Sequence, residues 1–221
     1  MTEDARPITS TRTALLLMDF QPAILAGISD KETLLARVHA ALSWARSANV
    51  QVVHVRVAFT PDDFNAIPIH NKAFTAVALN RFLADGSPGC AIHESIDVQK
   101  DDIVVRKTRF GAFSTTDLDS ALRSQGIDTL VVAGISTSGV VLSTLRHAAD
   151  EDFRLYILAD ATADPDPEVH RVLTEKVFPH QADVINSDDL WIYSRADYPN
   201  RYHPEDPSSN RSRRHDRKPG S

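Results

Sequence analysis

The sequence predicts an α/β protein built on an open, mostly parallel sheet with helices on both faces. Three observations lead there. The unbroken apolar runs at 13–18 and 130–133 suit strands buried on both faces of a parallel sheet, not the alternating pattern of a half-exposed one. Stretches with apolar residues at helical spacing separate such runs, so strand and helix alternate along the chain. Asp19, Lys107 and the turn 134–140 each follow a predicted strand directly. The carboxyl ends of the strands are where an open α/β sheet keeps its ligand.

Taken in order, the first strand is 13–18, led in by Thr11 and Arg12 and closed by Asp19. Asp30 caps a helix over about 31–47, with Leu34, Leu35, Val38, Ala41, Leu42 and Ala45 as one apolar stripe. A second strand, 50–57, carries His54 and Arg56. Between 60 and 71, Pro61, Pro68, Asn65 and two aspartates break the pattern, which predicts a long loop, the usual place for substrate contacts. A helix over about 72–84 comes next, then turns at Gly86, Pro88 and Gly89. A short strand at 103–105 brings Lys107 to its end, and a helix over 116–124 stops at Gly126. After the central strand, Val140, Val141, Thr144, Leu145 and Ala148 recur at helical spacing, with Ser136, Thr137 and Ser138 as candidate caps. A strand at 153–158 ending near Asp160, a helix begun between Pro165 and Pro167 with Val169, Leu173 and Val177 on its buried face, and a last strand at 182–185 complete the pattern.

The 221 residues, 42% of them hydrophobic, are enough for one sizeable core. The expected organisation is a polar arm at 1–10, one folded domain at 11–194, and a polar tail at 195–221 that is disordered toward its end. A net charge of −6 argues against nucleic acid as the partner. No apolar stretch reads as a signal or membrane span, and the single cysteine, Cys90, leaves no internal disulfide and no cysteine-rich zinc site. The expectation is a soluble, cytoplasmic protein that acts on a small molecule.

A carboxylate beside a lysine in a sheltered pocket perturbs the proton affinity of both, which suits acid–base work. Asp19 and Lys107 are that pair here, and the alternative is a plain ion pair or strand-end cap. The turn after the central strand aims backbone N–H groups and a helix N-terminus at one point, so Gly134, Ser136, Thr137 and Gly139 are candidate contacts for a carbonyl or anionic oxygen. Capping explains the two serines, Ser136 and Ser138, without catalysis. Phe20, Gln21 and Phe113 are candidate substrate contacts, with Arg56, Phe59 and Phe110 weaker ones. Cys90 reads as a small apolar filler in a turn, because no motif sets a histidine base beside it.

Three stretches, LLLMDFQ at 15–21, VVRKTRFGAF at 104–113 and VVAGISTSGVVLSTLRHAAD at 131–150, resemble in order the motifs of the isochorismatase-like hydrolases. The resemblance spans about 11–190. It implies a three-layer α/β/α sandwich around a six-stranded, mainly parallel sheet, in a homodimer or larger homo-oligomer. It also implies an Asp–Lys–Cys site, carried here by Asp19, Lys107 and position 140. That position is Val140, which has no group to attack a carbonyl, so a thioester route is closed. Isochorismatases also lack the cysteine and cleave a vinyl ether by protonating it; by that resemblance Asp19 is a general acid and Lys107 its electrostatic partner. Nicotinamidases of the family hold a metal through an Asp and His cluster after the second strand. In 54–70, His54 and His70 stand too far apart for that spacing, and no metal or cofactor is expected. The implied function is a hydrolase without the nucleophilic cysteine. The alternatives are a lapsed member that binds a metabolite or protein, and an atypical amidase using Cys90 or a serine.

Overall fold

The apolar runs become strands because their residues find apolar neighbours on both sides. The computed structural model describes residues 8–194. Its strands are β1 (Thr13–Met18), β2 (Gln51–Val57), β3 (Ile103–Lys107), β4 (Thr129–Ile135), β5 (Arg154–Ala163) and β6 (Asp183–Ile185). All adjacent pairs are parallel, in the order β3-β2-β1-β4-β5-β6. The chain therefore winds outward from β1 through β2 to β3, then returns to the centre and winds the other way from β4. The reversal point lies between β1 and β4, where diverging connections leave a crevice at the carboxyl edge.

The helices are α1 (Pro22–Leu25), α2 (Lys31–Ser47), α3 (Pro61–Asn65), α4 (Thr75–Leu79), α5 (Leu118–Ser124), α6 (Leu142–Asp150), α7 (Pro167–Val172) and α8 (Leu190–Tyr193). Alternate residues of β1 feed two cores. Leu15 and Leu17 pack with Val38, Trp44 and other residues of α2 on one face. Leu16 and Met18 pack with Leu122 of α5 and Leu145 of α6 on the other. This gives the expected helix–sheet–helix layering, and every residue of β1 and β4 is buried. A third, smaller cluster of Val57, Phe59, Phe64, Phe74 and Cys90 sits under the segment after β2.

Several expectations are corrected. The stretch 60–71 is not all loop: Thr60 accepts from the Asp63 N–H, Asp63 bonds back to the Thr60 N–H, and Pro61 opens α3. The helix over 72–84 shrinks to α4, because Arg81 and Leu83 take positive φ and end any helical path. β5 runs to Ala163, well past Asp160, so the polar residue at its carboxyl end is Asp164. Lys107 is the last residue of β3, not a residue beyond it. Val169, Leu173 and Val177 are only partly buried, and Thr174 and Phe178 take the deeper positions. The tail at 195–221 and most of the arm at 1–10 lie outside the described residues.

Candidate active site

β1 ends at Met18, and Asp19 turns out of the strand with φ 62°. Aspartate tolerates this left-handed conformation better than most side chains, because its short polar group bonds locally. Two backbone bonds hold the turn: the Asp19 N–H donates to Val55 O, and the Gln21 N–H donates to Asp19 O, each at 2.8 Å. β2 lies between β1 and β3, so a side chain from β3 must cross roughly 10 Å, two strand spacings, to reach the end of β1. Register sets the level: Met18 pairs with Val55 and Val57 with Lys107. The long lysine side chain spans the gap, and Lys107 Nζ meets Asp19 Oδ2 at 2.7 Å. Lys107 Nζ also donates to Arg109 O at 3.1 Å.

The pair is nearly dry, with 2% of the Lys107 side chain and 6% of the Asp19 side chain exposed. Burial pushes the Asp19 carboxyl up to about 6, because removing an anion from water outweighs the attraction of the Lys107 ammonium and its hydrogen bond. Asp19 Oδ1 is buried and has no hydrogen-bond partner. The carboxyl thus has one oxygen committed to lysine and one with open bonding capacity.

Across the crevice, β4 leads into a single π-helical turn, Thr137–Val141, ahead of α6. Gly134 is required by close approach: a Cβ there would lie 3.0 Å from Met18 O and 3.2 Å from a Val141 methyl. Ser136 is the cap, its hydroxyl accepting from the Gly139 N–H at 3.1 Å. A Cβ on Gly139 would fall 2.7 Å from that hydroxyl oxygen, so glycine makes room for the cap. Val140 is buried and belongs to the core cluster that also contains Met18 and Phe113.

The remaining candidates separate. Gln21 is buried, with its amide saturated by backbone: Nε2 donates to Val57 O and Cys90 O, and Oε1 accepts from the Val57 N–H. It clamps the β1–β2 edge and has no donor to spare for a ligand. Phe20 packs in the α2-side core. Phe113 is buried and stacks on the ring of the exposed His147 at 4.8 Å. Phe59 is buried in the third cluster, Arg56 pairs with Asp85, and Phe110 is 48% exposed. Cys90 is buried in the third cluster, with Arg56 Nη1 3.9 Å from its sulfur. His54 is buried and bonded to Asp102, while His70 is exposed. Among the described residues no three His, Cys, Asp or Glu side chains converge as a metal site.

Two contacts of the turn escaped sequence reasoning. Thr137 Oγ1 shares a 2.8 Å hydrogen bond with His170 Nδ1, and Ser138 donates through both N–H and hydroxyl to Asp164 Oδ2. Burial holds the His170 imidazole below its usual range, partly offset by Asp164. Extending β5 by its β-branched and small residues would have placed Asp164 at the same edge as Asp19. No local signal marks His170.

Comparison with known proteins bears on the fold and the family of the chain. The isochorismatase domain model matches residues 13–189. Ureidoacrylate amidohydrolase RutB of Agrobacterium fabrum is 31% identical over 225 aligned residues, covering 90% of this chain and 95% of that protein. Among solved structures, a cysteine hydrolase from Pseudomonas syringae superposes with a TM-score of 0.76 at 23% identity, covering 88% of this chain and 98% of that one. N-carbamoylsarcosine amidase from Thermoplasma acidophilum superposes with a TM-score of 0.65 at 24% identity, covering 80% and 97%. The two structures bear on the fold, and the domain match with the sequence relative bears on descent. The chain belongs to the isochorismatase-like hydrolase family.

Proposed function

We propose that this chain hydrolyses a small metabolite by acid–base chemistry at Asp19, with Lys107 as electrostatic partner and water as the attacking group. The observation that carries the reading is the dry, directly bonded Asp19–Lys107 pair together with valine at position 140. A carboxyl titrating near 6 can hold a proton close to neutral pH and release it to a basic atom. With a vinyl ether, Asp19 would protonate the terminal alkene carbon and leave an oxocarbenium ion. Water then adds to that ion, and the resulting hemiketal loses an alcohol to give the ketone. The Lys107 ammonium stabilises the carboxylate left behind. Asp19 recovers its proton from the added water, so the net change is hydrolysis.

One observation favours a second reading. The relative that covers nearly all of this chain is named a ureidoacrylate amidohydrolase. Without a thiol, amide hydrolysis here would need ionised Asp19 to take a proton from water as that water attacks the carbonyl. Acid catalysis weakens as pH rises through about 6, whereas base catalysis strengthens. The test is turnover of carboxylated vinyl ethers, read as ketone release, against ureido compounds and simple amides, read as ammonia release. Cys90→Ser is expected to retain turnover of whichever class reacts. Loss of activity in Cys90→Ser would contradict both readings, and absence of turnover throughout would favour a lapsed, ligand-binding member.

A further inference from the structure

The segment that follows Lys107 borders a cavity of about 450 Å³, walled by Asn71, Phe74, Arg109, Phe110, Ser143 and His147. We propose that it is a recognition subsite for a small planar carboxylate, so that the substrate is an anion carrying a flat, conjugated or aromatic body. The proposal rests on the hydrolase reading only for the chemistry after binding; the binding claim stands on the cavity itself.

Charge comes first. No carboxylate lines the cavity, and Arg109 does. Its neighbours on the same edge are neutralised, Arg56 by Asp85 and Arg106 by Asp63. Among the described residues Arg109 has no carboxylate within ion-pair range. One of its nitrogens donates to Thr108 O at 2.6 Å, and its guanidinium carbon lies 5.3 Å from the centre of the Phe74 ring. The stack and the single bond orient a planar fork of donors whose natural partner is a carboxylate.

Shape comes second. The Phe74 and Phe110 rings are 4.9 Å apart and tilted by 55°, which gives a flat ligand an aromatic wall. Phe110 leaves nearly half its surface in water, a cost that a bound ring would remove. Ser143 and His147, also in the lining, stand one turn apart on α6, with the His147 ring held flat against Phe113. The Asn71 carbonyl already caps the Phe74 N–H, which leaves its amide N–H₂ as a further donor.

Position comes third. The same short segment serves both places: Lys107 bonds to the Arg109 carbonyl, and a Cβ on Gly139 would touch Phe110 at 3.4 Å. Gly139 precedes Val140 directly. A molecule anchored at the Arg109 guanidinium is therefore held by the segment whose backbone carbonyl Lys107 binds, through a group that Asp19 and Lys107 leave unused.

The test reads binding, not turnover, with benzoate and its neutral isostere benzamide titrated into the full chain by calorimetry and by NMR of the His147 ring. Benzoate is expected to bind about tenfold or more tighter than benzamide, the range of a charged hydrogen-bonded contact. Arg109→Met is expected to abolish that preference. Arg109→Lys, which keeps the charge but not the fork, is expected to lose most of it while serving as a folding control. Phe110→Ala is expected to weaken both probes. Equal binding of the two probes, benzoate binding unchanged in Arg109→Met, or no shift at His147 would each overturn the proposal. Repeating the titration with Asp19→Asn separates the two readings, because a failed catalytic assignment leaves benzoate binding intact.

Discussion

Two buried carboxylates, at opposite ends of the sheet, make the most instructive comparison in the molecule. Asp19 stands at the carboxyl edge and Asp102 at the amino edge, just before β3, and both side chains are almost fully buried. Both face cations, yet their proton affinities move in opposite directions. Burial raises Asp19 to about 6 because it outweighs Lys107 and a lesser contribution from the Val57 backbone. Burial would raise Asp102 too, but two Arg46 nitrogens, the Gln99 N–H and His54 Nε2 all bond to it and hold it below the usual carboxylate range. Asp102 is saturated, and one oxygen of Asp19 is bare. The number of donors, more than burial or the presence of a positive neighbour, separates a structural carboxylate from one free to move a proton.

Removing each carboxylate should break different things. Asp19→Asn keeps the shape and an acceptor for Lys107, so the fold should survive by circular dichroism. Turnover should drop on the order of a thousandfold, within the range for loss of a general acid or base. Asp102→Ala should do the reverse: about 3 kcal/mol or more of stability lost in urea melts, because Arg46 and His54 keep buried polar groups without their shared acceptor. Activity per folded molecule should be unchanged. If Asp102→Ala silenced the enzyme at full stability, the contrast between the two carboxylates would collapse.

Lys107→Met sharpens the comparison from the cation's side. Asp19 then keeps its burial and loses the charge that opposes it, so its carboxyl should titrate well above 6, as read by isotope-edited infrared spectroscopy. The single variant should lose about 3 kcal/mol of stability, and Asp19→Asn combined with Lys107→Met should recover much of it, since a neutral pair carries no uncompensated charge. A double variant no better than Lys107→Met alone would mean that the lysine stem, not its charge, holds the site.

The smallest effect is on pH dependence, and its contributions differ in sign. The folded Asp19 carboxyl lies above its unfolded value of 3.8, so its contribution to stability is full below 3.8 and is lost as pH rises through about 6. Asp102 lies below its unfolded value, so its contribution is present above that value and is lost as pH falls. His54, pushed down by burial despite Asp102, adds to the acid side: stability falls as pH drops below its unfolded value of 6.5. Urea melts of wild type, Asp19→Asn and Asp102→Asn from about pH 2.5 to 8 should show Asp19→Asn losing the fall in stability between 3.8 and about 6, and Asp102→Asn losing the fall below 3.8.

The carboxyl edge was legible in the sequence because strand ends are: an apolar run closed by a polar residue marks both Asp19 and Lys107, and parallel pairing brings such ends together. The cap at Ser136 and the glycines at 134 and 139 were legible as a turn. The Asp102 cluster was not, because Arg46, His54 and Asp102 come from a helix, a strand interior and a turn whose proximity depends on register alone. Gln21, Phe20 and Phe113 are candidates on the strength of adjoining the motifs. Adjacency to a motif says nothing about which way a side chain points, and these three point into backbone or core. The helix expected over 72–84 failed where Arg81 and Leu83 take positive φ, a conformation that neither residue type signals.

Whether Asp19 moves the proton without help from an enzyme thiol is tested most directly by the pH profile of kcat/KM for wild type and Asp19→Asn on the substrate class that reacts. A single inflection near 6 is expected in the wild type, falling with pH for a vinyl ether or rising for an amide, and it should be absent in a nearly inactive Asp19→Asn. A wild-type profile without that inflection, or an Asp19→Asn variant that keeps both rate and profile, would contradict the assignment.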